Sequence, residues 1–201
     1  SNILFRLGLV AVADKSGKQG HVPYGVLTLH RPSNVDNQGT LTDILEAIAV
    51  ISRDLPIVFP VHPRTRKMIN DFGLNHLVSS APGNQVNHNS IVFIEPLGYL
   101  DFLHLMANAR LVLTDSGGIQ EEVSSLGKPI LVMRDVTERT EAVDLGIAEL
   151  VGTDVDRIVA RSLALLDQPS PGAPRANPFG DGRASARITS AITSALTRKG
   201  N

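Results

Sequence analysis

The stretch RLVLTDSGGIQEEVSSLGKPILVM, Arg110 to Met133, decides the fold. It contains two short apolar runs, RLVLT (Arg110 to Thr114) and PILVM (Pro129 to Met133), joined by a segment with helical spacing. The runs are nearly continuous in Val, Ile and Leu, which is typical of parallel strands covered on both faces. The segment between them ends at Gly127, shortly before a proline, as helices often do. The pattern therefore predicts a strand–helix–strand unit.

Similar apolar runs precede this unit and further helical patterns surround it. The other predicted strands are YGVLTL (Tyr24 to Leu29), PIVFPV (Pro56 to Val61) and IVFIE (Ile91 to Glu95). Helices are predicted over Leu41 to Ile51, after Gly98, over Val155 to Leu166, and over 183–197 after a Pro/Gly-rich loop at 168–182. Strands that alternate with helices favour right-handed crossovers. We expect one α/β domain with a doubly wound parallel sheet.

The composition limits the classes of function. The chain has 201 residues, of which 42% are hydrophobic and 19% charged, as in globular proteins. Its net charge of −1 gives no basic excess for nucleic acid or an anionic membrane. The lack of cysteine excludes disulfides, Cys-based zinc sites and thiol nucleophiles. No apolar run reaches the ~18 residues of a membrane span, and the first residues make a poor signal peptide.

Polar residues follow the predicted strands at their carboxyl ends. In doubly wound sheets, ligands bind beyond these ends. After successive strands the sequence places His30 and Arg31, then His62, then Leu97 and Gly98, then Asp115 to Gly118, and finally Arg139. We expect these residues to meet along one edge of the sheet.

The turn Asp115-Ser116-Gly117-Gly118 opens the helix that starts near Ile119. Small residues at a helix N-terminus leave backbone N–H groups open to an anion such as a pyrophosphate. The alternative is a tight turn with Ser116 or Asp115 as the N-cap. No Gly-Lys-Ser/Thr sequence follows, and no G-x-G-x-x-G motif follows a strand, so ATP and NAD loops lose support.

The other polar candidates each allow two interpretations. Glu122 can accept hydrogen bonds from ribose hydroxyls, or it can be an exposed acid that favours the helix dipole. His30 and His62 suit phosphate binding or acid–base chemistry, or they are structural histidines. Arg139 can clamp a phosphate or lie in solvent. Two histidines without a third ligand do not favour a metal site.

Five stretches together resemble the non-hydrolysing UDP-N-acetylglucosamine 2-epimerases. They are TLHRPSNVD (Thr28 to Asp36), PVHPRTRK (Pro60 to Lys67), PLGYLDFLHLMANARLVLTDSGGIQEE (Pro96 to Glu122), LGKPILVMRDVTERTEAV (Leu126 to Val143) and NPFGDGRASARI (Asn177 to Ile188). The resemblance covers nearly the whole chain from about Tyr24. It rests most on SGGIQEE and on the R-D-x-T-E-R loop.

The resemblance implies a Rossmann-like domain that is one half of a glycosyltransferase-B type fold. Residues 1–201 correspond to the C-terminal, nucleotide-binding half, without the N-terminal domain. The implied cytoplasmic enzyme interconverts UDP-GlcNAc and UDP-ManNAc by anti elimination of UDP and re-addition on the other face. The resemblance implies a reaction that needs no NAD, metal or other cofactor. It also implies that the full-length protein is a homodimer.

The resemblance also assigns roles around UDP. Ser116 and the amides of Gly117 and Gly118 match the diphosphate cradle. Glu122 matches the carboxylate that binds the ribose, and Arg139 matches the phosphate-binding arginine.

Five further residues take roles from the same resemblance. His30 matches the catalytic histidine beside the leaving diphosphate. The Leu97 backbone and Phe102 match the contacts to uracil, although the spacing of Phe102 also suits a core residue. Arg31 and His62 match positions that contact a second, activating UDP-GlcNAc in some bacterial members.

The sequence departs from the family pattern at two positions. Ser33 replaces the Glu of the common H-R-x-E-N motif, and Thr140 replaces the Pro of T-E-R-P. The acidic acid–base residues of the family lie in the N-terminal domain, so we expect this chain to bind UDP without epimerising. The alternatives are a donor domain of a glycosyltransferase, a hydrolysing 2-epimerase, and a sensor without catalysis that Ser33 alone supports.

Overall fold

The computed structural model describes residues 2–10, 22–78, 90–169 and 177–199. In this part of the chain, six parallel strands form one sheet in the order β3-β2-β1-β4-β5-β6. They are β1 (Gly25–Thr28), β2 (Ile57–Pro60), β3 (Ile91–Ile94), β4 (Leu111–Thr114), β5 (Ile130–Val132) and β6 (Ala148–Leu150). The direction of winding reverses between β1 and β4. This order is the Rossmann-like arrangement and confirms the predicted fold class.

Helices cover both faces of the sheet. They are α1 (Ile3–Arg6), α2 (Pro32–Val35), α3 (Gln38–Ile51), α4 (Pro63–Asp71), a 3₁₀ helix (Leu74–Leu77), α5 (Tyr99–Asn108), α6 (Gly117–Leu126), α7 (Thr140–Asp144), α8 (Val155–Leu166) and α9 (Ala184–Lys199). Helices α3 and α8 pack together over one face, and α5 and α6 pack together over the other. The sheet is therefore buried between two helical layers.

The strand side chains alternate between the two layers. Leu27 and Leu113 belong to the core under α3 and α8, whereas Val26 and Val112 belong to the core under α5 and α6. All four side chains are fully buried. Burial on both faces explains why the strand sequences are continuously apolar rather than alternating.

The structure contains several elements that the sequence did not predict, namely β6, the short helices α1, α2 and α7, the 3₁₀ helix, and α4. Strand β6 was not predicted, since it has three residues, includes the polar Glu149 and lies at the sheet edge. Helix α4 was not predicted either. It begins at Pro63, and His62 is its N-cap, with the imidazole Nδ1 accepting a hydrogen bond from the Arg64 N–H at 3.2 Å. Residues 170–176 of the predicted loop lie outside the described residues.

One buried hydroxyl in α8 predicts a stabilising substitution. Ser162 is fully buried, and its hydroxyl has no hydrogen-bond partner within the described part of the chain. Because an unpaired buried hydroxyl loses its hydration without compensation, Ser162→Ala is expected to raise the free energy of unfolding by about 1 kcal/mol. Chemical denaturation measures this change.

A second buried hydroxyl supplies the control. Thr65 is also fully buried, but its hydroxyl donates to the Leu29 carbonyl at 2.6 Å. Thr65→Val is therefore expected to lower the free energy of unfolding by about 1 kcal/mol. A loss of stability in Ser162→Ala as large as that in Thr65→Val would show that the Ser162 hydroxyl is paired.

Candidate functional site

The site is built where the winding of the sheet reverses. The last residues of β1 and β4, Thr28 and Thr114, are paired, and their hydroxyl oxygens lie 2.6 Å apart. The loops that follow these two strands therefore leave the sheet side by side. In open α/β sheets this position is where ligands bind.

The Asp115 carboxylate ties these two loops together. It is fully buried and accepts the backbone N–H groups of His30, at 3.1 Å, and Arg31, at 2.9 Å. The Arg31 Nε donates in turn to the Asp115 carbonyl at 3.1 Å. Sequence reasoning placed Asp115 in the turn that opens α6 and offered it only as an alternative N-cap. The structure makes it the link between the loops after β1 and β4.

Asp115 also orients His30. The imidazole Nδ1 lies 2.9 Å from a carboxylate oxygen of Asp115, and 45% of the His30 side chain is exposed. Since the carboxylate only accepts, Nδ1 carries the proton and Nε2 is left for a ligand. The hydrogen bond to Asp115 raises the pKa of His30 above its ordinary value of 6.5, against the effects of partial burial and of Arg31. This hydrogen bond therefore favours the protonated form of His30 more than in a free histidine.

The N-terminus of α6 lies beside this histidine. Ser116 is its N-cap, and its hydroxyl accepts from the Ile119 N–H at 3.5 Å. A Cβ placed at Gly118 would meet nothing within 4 Å, and one placed at Gly117 would lie 3.8 Å from a guanidinium nitrogen of Arg31. The first N–H groups of a helix have no intrahelical partner. The turn is thus both N-capped and open, with the Arg31 guanidinium next to it.

The loop that carries Arg139 packs against α6. Within it, the Arg134 guanidinium makes two hydrogen bonds of 3.0 Å to the Glu138 carboxylate and lowers the pKa of Glu138 to about 2. The Arg139 guanidinium forms an ion pair with Glu121. The Arg139 N–H donates to the Thr137 hydroxyl at 3.1 Å. These contacts hold Arg139 over the first turns of α6.

The two adjacent acids of α6 differ in their surroundings. Glu121 pairs with Arg139, whereas Glu122 has no ion pair among the described residues. Partial burial, followed by repulsion from Glu121, raises the pKa of Glu122. A half-buried carboxylate without a partner is suited to accept hydrogen bonds from hydroxyl groups.

A small pocket opens next to this edge. Its volume is about 170 Å³, and it is lined by Thr28, Pro60, His62, Pro96, Leu97 and Phe102. The half-buried Phe102 also packs against the core under α5 and α6, so the core interpretation and the binding interpretation apply together. Thr28 connects the pocket with Thr114 and with the turn that opens α6. The pocket and the turn therefore form one continuous edge.

The structure divides the predicted site residues into two neighbouring groups. The turn group comprises His30, Arg31, Ser116, Gly117, Gly118, Glu122 and Arg139. The pocket group comprises His62, Leu97 and Phe102. Arg31 and His62, which were predicted to contact a second ligand, thus lie beside the residues predicted to contact UDP. Ser33 is exposed, and its hydroxyl donates to the Asn34 amide oxygen at 3.3 Å.

Two kinds of feature are absent from the described residues. Across the four described ranges, no three His, Asp or Glu side chains are grouped so that they could bind a metal ion. No helix within these ranges has the length and apolar character that crossing a membrane requires.

The strand order and the polar edge define a Rossmann-like α/β protein with an open, N-capped helix N-terminus at the reversal of the sheet. Residues 8–193 match the family described as UDP-N-acetylglucosamine 2-epimerase. The chain belongs to this family, which confirms the resemblance to UDP-N-acetylglucosamine 2-epimerases.

Individual relatives agree with the family assignment. The chain is 41% identical over 172 residues to a UDP-N-acetylglucosamine 2-epimerase of Methanocaldococcus jannaschii, and the match covers 85% of the chain and 44% of the relative. It is 45% identical over 183 residues to a probable UDP-N-acetylglucosamine 2-epimerase of Ralstonia solanacearum, and this match covers 85% of the chain and 46% of the relative. The chain therefore spans less than half the length of these curated relatives.

A solved structure of the M. jannaschii UDP-GlcNAc 2-epimerase, in complex with UDP-GlcNAc and UDP, is also similar. Its TM-score is 0.73 at 40% identity, and the match covers 86% of the chain and 45% of that structure. The similarity extends the family assignment from the sequence to the fold.

Proposed function

We propose that this chain is the UDP-binding half of an enzyme that interconverts UDP-GlcNAc and UDP-ManNAc by epimerisation at C2. The observation that carries the proposal is the meeting of His30, Arg31 and Arg139 at the open N-terminus of α6. Three cationic or protonatable groups beside free helix amides suit a diphosphate. The similar M. jannaschii enzyme in complex with UDP-GlcNAc and UDP supports the same ligand class.

The proposed position of UDP follows from the two groups of residues. The diphosphate lies against Gly117 and Gly118 and is clamped by Arg139. The uracil enters the pocket lined by Leu97 and Phe102, and the ribose hydroxyls donate to Glu122. This placement uses one continuous edge of the sheet and gives each group a partner of matching chemistry.

The proposed chemistry separates the roles of two halves of the enzyme. A base removes the C2 proton while the C1–O bond breaks, and UDP leaves with the bonding electron pair, which forms 2-acetamidoglucal. UDP then adds back at C1, and C2 receives a proton on the opposite face. Protonated His30 stabilises the departing diphosphate through Nε2. We propose that the residues that move the C2 proton lie in a second domain outside this chain.

Titration calorimetry and NMR test this proposal together. The chain is expected to bind UDP and UDP-GlcNAc but to form no UDP-ManNAc on its own. A protein that includes the second domain is expected to form UDP-ManNAc without accumulating free UDP. Free ManNAc together with UDP would instead identify a hydrolysing enzyme. A folded chain that does not bind UDP would contradict the proposal.

The raised pKa of His30 predicts a pH dependence of binding. Protonated His30 attracts the diphosphate, so the affinity for UDP-GlcNAc is expected to be highest below the pKa of His30 and to fall as the pH rises through it, above about 6.5. UDP-GlcNAc is the suitable probe because its diphosphate is esterified at both ends and does not titrate near neutral pH. Calorimetric titrations from about pH 5.5 to about pH 8.5 measure this change.

Two histidine variants serve as controls for this dependence. His30→Gln is expected to remove it. His76→Gln is expected to keep it, because His76 is exposed and its ring forms a hydrogen bond with the Gly73 carbonyl, away from the candidate UDP contacts. An unchanged pH dependence in His30→Gln would assign the titration to another group.

A further inference from the structure

The Gln120 side chain is a fully buried polar group near the site that the proposed function does not use. It lies on the first turns of α6, and none of it is exposed. Its amide nitrogen donates to the Ser116 carbonyl at 3.0 Å, and its amide oxygen accepts from the Thr137 hydroxyl at 2.8 Å. A buried amide is costly unless both of its ends are paired, and here both are.

These hydrogen bonds continue to Arg139 in a single direction. The Ser116 carbonyl can only accept, so the Gln120 NH₂ group must face it and the Gln120 oxygen must face Thr137. The Thr137 hydroxyl then donates to Gln120, and its oxygen accepts the Arg139 N–H at 3.1 Å. The Gln120 amide and the Thr137 hydroxyl can therefore each donate and accept in only one direction.

This series of hydrogen bonds begins and ends at two of the candidate UDP contacts. Ser116 caps the anion-binding turn, and Arg139 carries the guanidinium assigned to the diphosphate. We propose that Gln120 is a positioning residue that sets the distance between the Arg139 loop and the open N-terminus of α6. This inference depends on the proposed assignment of Arg139 to the diphosphate.

A double-mutant cycle with UDP as the ligand tests the positioning role. Gln120→Met keeps the size of the side chain but removes both hydrogen bonds. It is expected to weaken UDP binding about tenfold in the otherwise unchanged chain, and less than about twofold when Arg139 is already replaced by Ala. A residue that supports the fold alone would weaken binding equally in both backgrounds, and that result would overturn the inference.

Substitutions at Thr137 interrupt the same series of hydrogen bonds from the loop side. The test therefore does not depend on whether Gln120→Met folds. Thr137→Val removes the hydroxyl at nearly constant shape and is expected to weaken UDP binding like Gln120→Met. Thr137→Ser keeps the hydroxyl and is expected to restore the affinity. Equal affinities of the Val and Ser variants would also overturn the positioning role.

The outcomes separate this inference from the proposed function. If the unchanged chain does not bind UDP, both are wrong. If it binds UDP and Arg139→Ala weakens binding, but neither Gln120→Met nor Thr137→Val does, then only the positioning role is wrong. Weakening that disappears in the Arg139→Ala background supports both.

Discussion

Asp115→Asn is expected to lower the free energy of unfolding by about 3 kcal/mol, the largest effect on stability that we predict for the site. The Asp115 carboxylate is fully buried and accepts hydrogen bonds from the backbone of His30 and Arg31 as well as from the His30 ring. An amide at this position turns an NH₂ group toward at least one of these donors and leaves it unpaired. Hydrogen bonds to a charged group contribute about 1.5–3 kcal/mol each, and they are not additive. The midpoint of denaturation in urea measures the loss.

Asp36→Asn is the matched control for this change. Asp36 is also an aspartate of the loop region after β1, but it is exposed and pairs with the exposed Arg64. The control is expected to leave the denaturation midpoint nearly unchanged, since exposed ion pairs contribute little. Equal effects of the two substitutions would contradict the structural role of Asp115.

Arg139→Ala is expected to weaken UDP binding about ten- to hundredfold, the largest effect on affinity that we predict. The guanidinium is the only group of the 134–139 loop assigned to the diphosphate, and a charge-assisted hydrogen bond contributes about 1.5–3 kcal/mol. Arg139→Lys keeps the charge but loses the planar guanidinium. Its affinity for UDP is therefore expected to lie between that of the unchanged chain and that of Arg139→Ala. Calorimetric titration with UDP measures all three.

Arg161→Ala controls for the loss of one positive charge. Arg161 lies on α8 and pairs with Glu149 of β6 at 2.7 Å, away from the candidate UDP contacts. Its replacement is expected to change the UDP affinity by less than about twofold. A similar loss in both alanine variants would mean that net charge, rather than a contact from Arg139, determines the affinity.

The sequence predicted five strands because their signal is local. A run such as Leu111–Thr114 is apolar over its whole length, so it indicates a buried strand without reference to the rest of the chain. Strand β6 has no such signal. Its three residues include Glu149, whose partner Arg161 lies on α8, and only the folded structure brings the two together.

The same distinction separates the site residues that were predicted from those that were missed. Position after a strand was enough to single out His30, Asp115 and Ser116, but not to reveal the contacts that Asp115 makes. Asp115 and Gln120 act through partners that are distant along the chain, 85 residues in the case of His30 and 17 residues in the case of Thr137. A buried polar side chain is recognised by what surrounds it, and spacing in the sequence does not contain that information.

The ion pair between Glu121 and Arg139 determines which anion the proposed binding of UDP would displace from Arg139. Arg139 already has a counterion that is part of the protein, so under the proposed function an arriving diphosphate would replace Glu121 rather than mobile anions from solution. Part of the electrostatic gain is offset by separating this internal pair. Fewer ions are released to solvent than the number of cationic groups around the turn suggests. In the proposed function, UDP binding therefore exchanges one anion for another at Arg139, and the anion displaced, the Glu121 carboxylate, stays attached to the protein.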